Sequence, residues 1–441
     1  MPNAARNVYG ILIRRGLALG LPLVALLVFF WPAAIVLRAT SDDGFGGPTP
    51  SPMVYEWHRA LSSSMAAWAR ERVHVQAGAR LSTSDLSGTE WPLYGAVFYL
   101  RATENLQQAW ALDPQGPAPR QQAAEAIEAA AALIADPSHA SWVIQHWGAS
   151  YLDRENLFYR MLLIDGLAAH RALTGSDRYR RLLSSQADSL ARELDASPDG
   201  LLDDYPGQCY PVDVISAWGA IAHADRVLGS DHAQLIARGL RGFIAPRESA
   251  QALPPYFVDR RDGSGSTSRG STNSGLLIAS AWLWPEPSRR WYAAHERVYW
   301  QRGTWLAGFR EFPPWQGDGL YVDVDSGPVI AGLGTAASGL GVAASRSLGR
   351  FDHARPLALE MIAVAWPLPN GRLAVPRLVS DGEHAPYMAE SVILFALSQP
   401  MAPGFSAAPP GTTPGIVWAM VIFQVLGGVV LIGIARRLWR R

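Results

Sequence analysis

The segment 153–210 carries residue types suited to acid–base chemistry. Glu155 lies near its start, and Asp204, Tyr205 and Cys209 lie near its end, with two helix-like runs between these polar loops. If the two runs pack as an antiparallel hairpin, both loops lie at the same end and the four side chains share one cavity. A buried carboxyl group holds its proton near neutral pH, and a thiol has an ordinary pKa of about 8.5. The sequence therefore predicts all four as catalytic residues.

Aromatic and acidic side chains also collect in long polar segments elsewhere in the chain. Loops on a rigid scaffold are the usual place of a binding site, and aromatic faces shelter a cation or stack on a sugar. The residues predicted to contact substrate on this basis are Glu90, Trp91, Tyr94, Trp147, Tyr256, Asp318 and Asp323. The expected ligand is a small molecule or a glycan.

Two other interpretations of these residues stay open. Two carboxylates that flank a bond, with tryptophans beside them, are typical of glycoside hydrolases and polysaccharide lyases. The candidate pairs take one member from Glu90 and Glu155 and the other from Asp318 and Asp323. A lone cysteine is commonly a small buried hydrophobic residue, and in that case the domain is a non-catalytic binding module tethered to a membrane.

Charge balance and missing residue types exclude several function classes. The 441 residues carry 38 basic and 38 acidic side chains, and a zero net charge without a basic stripe gives no reason to expect nucleic-acid binding. All the basic residues are arginine, which excludes a P-loop lysine and a pyridoxal-phosphate Schiff base. The single cysteine excludes an intrachain disulfide, and no His-Glu-x-x-His motif occurs. The sequence predicts no metal and no cofactor, and it is compatible with a homo-oligomer.

Helical periodicity recurs along the middle of the chain, with no convincing run of alternating strand residues. The predicted helices span 55–71, 92–112, 119–135, 154–174, 177–195, 210–228, 231–246, 272–283, 287–301, 326–347, 353–366 and 387–398. Short links alternate with six long ones, which implies antiparallel neighbours with all the long links at one end. The prediction is an all-α domain over residues 55–398, built as an (α/α)6 toroid with its site in the long loops.

Two uncharged runs, residues 16–37 and 415–434, are long enough to cross a bilayer. Arginines precede the first run and follow the second, so the positive-inside tendency predicts that both flanking tails are cytoplasmic. The domain between the runs is then expected on the periplasmic face of a bacterial inner membrane, held in the lipid bilayer by two anchors. The remaining segments are a cytoplasmic N-terminus, two linkers rich in Pro, Gly and Ser, and a basic cytoplasmic tail, at 1–15, 38–54, 399–414 and 435–441.

Four short motifs in the central part of the chain point to a known family. They are Glu155-Asn156-x-x-Tyr159, Leu173-Thr174-Gly175-Ser176-x-x-Tyr179, Asp203-Asp204-Tyr205 with Gln208-Cys209, and Gly229-Ser230-Asp231. In these motifs the chain resembles the linalool dehydratase/isomerase-like family, whose members are (α/α)6 barrels. The resemblance implies a membrane-anchored hydro-lyase or isomerase that removes water from an apolar alcohol, or adds it to an alkene, without a cofactor. It places Cys209 on one of the two active-site cysteines of the family.

Two positions depart from the family pattern. Gly200 stands near the place of the other cysteine, and Leu162 stands where the family has a histidine on the helix after Glu155. Dehydration needs an acid to protonate the departing hydroxyl and a base to take a proton. With these departures, we expect a carboxyl group kept neutral by burial, Asp204 or Glu155, to be the acid.

Overall fold

The computed structural model describes residues 2–82, 85–114, 116–244, 252–323, 326–376 and 379–440. Its helices are, in chain order, α1 (Pro2–Val24), α2 (Trp31–Thr40), α3 (Pro52–His74), α4 (Leu86–Thr89), α5 (Trp91–Leu112), α6 (Pro119–Gln122), α7 (Ala124–Ala135), α8 (Ser141–Trp147), α9 (Leu157–Thr174), α10 (Arg180–Ala196), α11 (Pro211–Leu228), α12 (Ala233–Ile244), α13 (Gly270–Leu283), α14 (Pro285–Tyr299), α15 (Thr335–Ser347), α16 (Phe351–Val364), α17 (Met388–Ser398) and α18 (Gly415–Arg440). The strands are β1 (Trp300–Arg302), β2 (Ala307–Phe309), β3 (Tyr321–Asp323), β4 (Gly327–Ile330) and β5 (Leu333–Gly334).

The prediction of a mostly helical chain is confirmed. Every predicted helix has a counterpart in the described residues, usually within three positions of the expected ends, although 119–135 divides into α6 and α7. Residues 245–246, the end of one predicted helix, lie outside the described residues. Local sequence explains the boundaries well: proline occupies the first position of α11 and α14, and α9 and α11 end at Gly175 and Gly229 with φ of 68° and 75°.

The expectation of no strands is wrong between residues 300 and 334. Strands β1 and β2 form one antiparallel pair, and β3, β4 and β5 form an antiparallel sheet of three. The predicted helix 326–347 therefore begins only at Thr335. Gly327 and Gly332 adopt φ of 62° and 80°, and Pro328 follows the first of them, so a helix cannot run through this part. Strands of two to four residues are too short for alternation to reveal.

Six of the described helices pack in a cycle. Helix α5 contacts α9, and contacts continue from α9 to α11, α13, α15 and α17, which contacts α5 again. The helices that alternate with them along the chain, namely α3, α7, α10, α14 and α16, each pack against a member of this cycle, and α12 packs on α10. The long links all precede members of the cycle, so they emerge at one end, called here the long-loop end.

The two terminal regions form long apolar helices. Residues Leu12–Thr40 run continuously through α1, a π-helical turn at Ala25–Phe30 and α2, and α18 covers Gly415–Arg440, each with a hydropathy of 2.4 in its most apolar window. These regions pack against each other and against α16, while many of their leucine, isoleucine and valine side chains face outward. Both are long and apolar enough to cross a membrane.

A buried arginine joins both predicted linkers to the helical domain. Arg346 in α15 donates to the main-chain oxygens of Gln399 at 3.0 Å, Pro48 at 3.1 Å and Gly44 at 3.4 Å. Its guanidinium group lies over the Phe351 ring, and burial lowers its pKa to about 10. The planar group with five donors satisfies three carbonyl groups at once.

We predict that Arg346→Met lowers the free energy of unfolding by about 3 kcal/mol, because it leaves buried carbonyl oxygens without donors. Denaturant unfolding of the full chain in detergent measures this change. Arg297→Met, at an exposed position of α14, is the matched control and is expected to stay within about 0.5 kcal/mol of wild type. Equal unfolding midpoints for the two variants would show that Arg346 does not hold the linkers.

Candidate functional site

A cavity of about 1390 Å³ lies inside the cycle of helices. All six helices of the cycle contribute to its wall, which is mainly apolar and aromatic. Tyr94, Phe98 and Phe158 form one aromatic group in this wall, with ring centroids 5.2 to 5.6 Å apart for the pairs that include Tyr94. A large apolar cavity with a few polar groups is the usual form of a small-molecule site.

A tight turn before α11 carries the first polar group of the cavity. Gln208 N donates to the main-chain oxygen of Tyr205 at 2.8 Å across Pro206 and Gly207, and Gly207 has φ of 80°. Proline followed by glycine with positive φ is the pattern of a type II turn. The turn presents Tyr205 to the cavity, where its hydroxyl donates to Glu90 Oε1 at the start of α5. We call Glu90, Asp204 and Tyr205 the mouth cluster.

Asp204 is a buried carboxyl group with one oxygen left without a partner. Its side chain is 2% exposed, Oδ2 accepts from Tyr210 N at 3.0 Å, and within the described part of the chain Oδ1 has no hydrogen-bond partner. Burial, followed by the nearby Asp213, Asp203 and Glu90 carboxylates, raises the pKa of Asp204 well above its ordinary value. This shift favours the neutral acid form of Asp204 and makes it a candidate proton donor on the cavity wall.

Cys209 does not share this cavity, contrary to the expectation from sequence. Its side chain is fully buried in the hydrophobic core and is absent from the described cavity wall. Burial is the main cause that raises the pKa of the thiol far above its ordinary value, so the group stays protonated. Cys209 forms an isolated β-bridge with Val258, and its side chain faces the core. Asp204, five residues earlier in the same loop, faces the cavity.

Glu155 is also placed outside the described cavity wall, which corrects the prediction that it joins Asp204 there. Its Oε2 accepts from Arg260 Nη1 at 2.7 Å and from Asp203 N at 2.6 Å. Arg260 also pairs with Asp199 and Asp203, so these groups join three long loops to one another. The strong attraction between the loop arginine and the carboxylates explains why Glu155 faces the loops.

The predicted substrate-contacting residues divide into two groups. Those that line the cavity are Glu90, Trp91, Tyr94 and Tyr256. The described cavity wall does not include Trp147, Asp318 and Asp323. Trp147 Nε1 donates a hydrogen bond to the main-chain oxygen of Asp204 at 3.2 Å. Trp147 thus helps to position the mouth cluster without lining the cavity itself.

The two remaining acids have other partners in the strand region. Asp318 is exposed and pairs with Arg310. Asp323 accepts from Ser326 N at 2.5 Å and from the Tyr321 hydroxyl at 2.6 Å, which closes the turn between β3 and β4. Both carboxylates are thus used within the strand region, outside the described wall of the cavity.

Farther inside the cavity lies a cluster of charged groups that the sequence analysis did not single out. His223 Nδ1 lies 2.7 Å from Asp165 Oδ1, and its Nε2 lies 3.1 Å from Glu104 Oε1. Arg101 Nη1 donates to Glu104 Oε2 at 2.8 Å, and Arg101 Nε lies 3.5 Å from Asp165 Oδ2. We call Arg101, Glu104, Asp165 and His223 the interior ion cluster; it joins α5, α9 and α11.

The charges of this cluster reinforce one another. Burial alone would lower the pKa of His223, but the Glu104 carboxylate and the hydrogen bonds to Asp165 and Glu104 outweigh it and raise the pKa. Burial favours neutral carboxyl groups, yet the charges of His223 and Arg101 lower the pKa of Glu104 and of Asp165 to about 2. Both ring nitrogens of His223 face carboxylates, an arrangement that suits an imidazolium donating twice, and Arg101 Nη1, 2.9 Å from Nδ1, opposes the rise in pKa.

The signal that would have found the interior ion cluster is a charged residue inside an apolar helical run. Arg101 and Glu104 are three residues apart in α5, and Asp165 and His223 stand alone among alanine, leucine and isoleucine. Charged residues on a buried helix face pair with one another or mark a site. Leu162, at the position where the resemblance puts a histidine, lines the same cavity.

One group of side chains has the spacing of a metal site but lies elsewhere. Glu296, Asp352 and His353 each bring a ligand atom within 4.8 Å of the others, the only such group among the described residues. Arg350 donates to Glu296 at 2.7 Å and to Asp352 at 2.8 Å, so a positive charge already neutralises these carboxylates. The group belongs to α14 and α16 and does not border the described cavity.

Comparisons with known proteins add no relative to these observations. No protein-family model matches the chain, and no curated protein matches it.

We predict that His223→Gln destabilises the protein by about 3 kcal/mol near pH 5, because it removes one of the two cations that Glu104 and Asp165 share. The pKa of His223 is raised in the folded state, so its stabilisation is complete below the unfolded pKa of about 6.5 and is lost as the pH rises through the folded pKa. The difference between wild type and variant in denaturant unfolding should therefore become smaller as the pH rises above the folded pKa of His223.

His74→Gln, at an exposed position of α3, is the control for this experiment and should change stability little at either pH. A difference for His223→Gln that is independent of pH would contradict the assignment of an imidazolium.

Proposed function

We propose that the chain is a membrane-anchored enzyme whose domain is an (α/α)6 toroid of the linalool dehydratase/isomerase-like kind. The cycle of contacts among α5, α9, α11, α13, α15 and α17, with alternating helices outside it, supports the toroid. The two long apolar helices support a bilayer as the partner of the chain. Arginines at positions 14, 15, 436 and 437 support cytoplasmic tails and a domain on the outer face.

The activity that we propose is cofactor-free removal of water from an apolar alcohol, or its reverse. One observation carries this proposal: Asp204, a buried carboxylic acid with a free oxygen, lies beside the Tyr205–Glu90 pair on the wall of an apolar cavity. An acid and a base with different protonation states in one site are what dehydration requires.

In this proposal Asp204 gives its proton to the substrate hydroxyl, and the C–O bond breaks with its electron pair on the departing water. An allylic cation remains, and Glu90 takes a proton from the neighbouring carbon, whose C–H electron pair forms the new double bond. One alcohol thus gives one alkene and one water. The proton on Glu90 then returns to Asp204, which restores both groups, and addition of water follows the same steps in reverse.

The aromatic wall supports a reaction that passes through a cation. Tyr94 and Phe158 lie beside the mouth cluster, and a cation over an aromatic face is stabilised by about 0.5–2 kcal/mol per ring when water is excluded. Tyr205 holds Glu90 by a hydrogen bond from its hydroxyl to Oε1. Capture of the cation by water at another carbon would give an isomeric alcohol.

A glycoside hydrolase has less support from the geometry. Glu155, Asp318 and Asp323, each a member of the carboxylate pairs predicted for that activity, lie outside the described cavity wall. Glu90 and Asp204 remain as the pair within the cavity, so glycans belong in the test of function.

We predict that Asp204→Asn lowers the turnover of an allylic alcohol by about 10²–10⁴-fold, the range for losing a positioned general acid. The assay uses the full chain in detergent or bilayers, with short and long allylic alcohols and their dienes, followed by a glycan panel. Asp203→Asn is the matched control, because Asp203 is adjacent but pairs with Arg260 outside the described cavity wall. Cys209→Ala is expected to keep turnover, since its thiol is buried in the core.

The pH profile gives a second result in the same assay. Because the reaction needs Asp204 in its acid form, turnover should fall as the pH rises through the raised pKa of that group. The proposal would be overturned if a folded Asp204→Asn protein kept its alcohol turnover. It would also be overturned if the wild-type protein cleaved glycans and did not turn over any alcohol.

A further inference from the structure

The direction of the two apolar helices shows which end of the domain meets the bilayer. Near the start of α16, Arg355 donates to Thr40 O at 2.6 Å, and near its end Trp366 donates Nε1 to Val28 O at 3.1 Å. Helix α2 thus runs antiparallel to α16. Thr413 lies 3.3 Å from Arg355 and Phe423 packs on Trp366, so α18 runs parallel to α16. The rest of both helices continues past the end of α16, where a long loop begins.

Tryptophans on α18 mark the level of the bilayer surface. Trp418 and Trp439 are both exposed, at 45% and 59%, and the helical rise between them gives about 32 Å, close to the roughly 30 Å of a hydrocarbon core. Tryptophan is enriched at both membrane surfaces. The surface on the domain side therefore lies near Trp418, one turn after the start of α18.

Loop residues of the long-loop end reach this level. Ile416 N donates to Trp305 O at 2.9 Å, which places the loop between β1 and β2 at the surface marked by Trp418. Trp366, which follows α16, packs its ring against Phe29 and Phe423. It also has φ of 43°, a conformation that costs about 1–3 kcal/mol in a bulky residue and persists where the surroundings hold it.

An exposed apolar patch continues from this contact along the strands. Its members are Trp305, Leu306, Leu320, Val322, Ile330 and Val364, each at least 42% exposed. The pairing of β3 with β4 puts Tyr321 opposite Val329, so the flanking residues Leu320 and Ile330 are also near each other. Isolated exposed apolar residues are ordinary, but a group of six beside two apolar helices has a natural occupant in the lipid.

The patch and the cavity share residues. Leu306, Ile330 and Val364 belong to the patch and also line the cavity, and Ile416 in the first turn of α18 lines it as well. Residues that are both exposed and part of the cavity wall mark an opening. We call these four residues the portal.

We propose that the portal opens the cavity to the outer leaflet of the bilayer, and that the substrate is an uncharged lipid-like alcohol that enters from the membrane. The substrate class rests on the proposed dehydration, whereas the portal rests on the helix directions and the patch. The described wall of the cavity is mainly apolar, which suits an uncharged lipid-like alcohol. Glu360, beside Leu306 and Val364 on the wall, adds an acidic group near the portal.

The first test measures immersion of the patch without any turnover. Leu306→Cys and Val364→Cys are labelled with bimane in full-length protein in phosphatidylcholine vesicles that contain lipids with a doxyl quencher near the glycerol. Leu112→Cys, an 89% exposed leucine at the opposite end of α5, is the matched control. Wild type, whose only cysteine is buried, gives the labelling background. We expect several-fold stronger quenching at positions 306 and 364 than at 112, and equal quenching would overturn the proposal.

The second test measures access to the cavity. Bimane at Ser216→Cys, a cavity position in α11, reports a doxyl-labelled long-chain alcohol dissolved in the vesicles. Ile330→Arg places a charge in the portal and should reduce this quenching several-fold, while Val322→Arg, in the patch but outside the described cavity wall, should not. Equal quenching in both variants would overturn access through the portal. Neither measurement depends on catalysis. Both therefore test the portal even if the dehydration assay shows no turnover.

Discussion

A cycle of six helices encloses a space that their own side chains do not fill, and every polar group facing that space has to be paired or neutral. The structure uses both solutions. In the interior ion cluster, Arg101 and His223 keep Glu104 and Asp165 ionised, with carboxyl pKa values of about 2. At the mouth, Asp204 has acidic neighbours and no cation in hydrogen-bond contact among the described residues, so burial makes it a neutral acid.

The two carboxyl environments therefore have different roles in the cavity. The interior ion cluster is a charge-balanced support that joins three helices, whereas the mouth cluster holds a proton that it can release. In the arrangement that we propose, the long loops that build the mouth lie at the same end of the domain as the bilayer surface near Trp418, which suits a substrate that is poorly soluble in water.

Helical periodicity was enough to predict that the described chain is mostly helical, because most helices bury one face, and glycine ends α9 and α11. The strands between residues 300 and 334 escaped it, since strands of two to four residues leave no periodic signal. In the site, Asp204 and Tyr205 follow from a polar loop next to aromatic residues. The sequence does not reveal which side chains of a loop face the cavity, so the prediction wrongly placed Cys209 in the cavity wall. The prediction missed His223 because a single histidine in an apolar helix is usually a buried core residue.

The central claim is that Asp204 is protonated in the resting protein. The infrared difference spectrum between wild type and Asp204→Asn, recorded in bilayers near neutral pH, tests it directly. The account predicts a carbonyl stretching band of a protonated carboxylic acid that is present in wild type and missing in the variant. The band should disappear from wild type only when the pH rises well above the ordinary pKa of aspartic acid. Two spectra without a difference in that region would contradict the account.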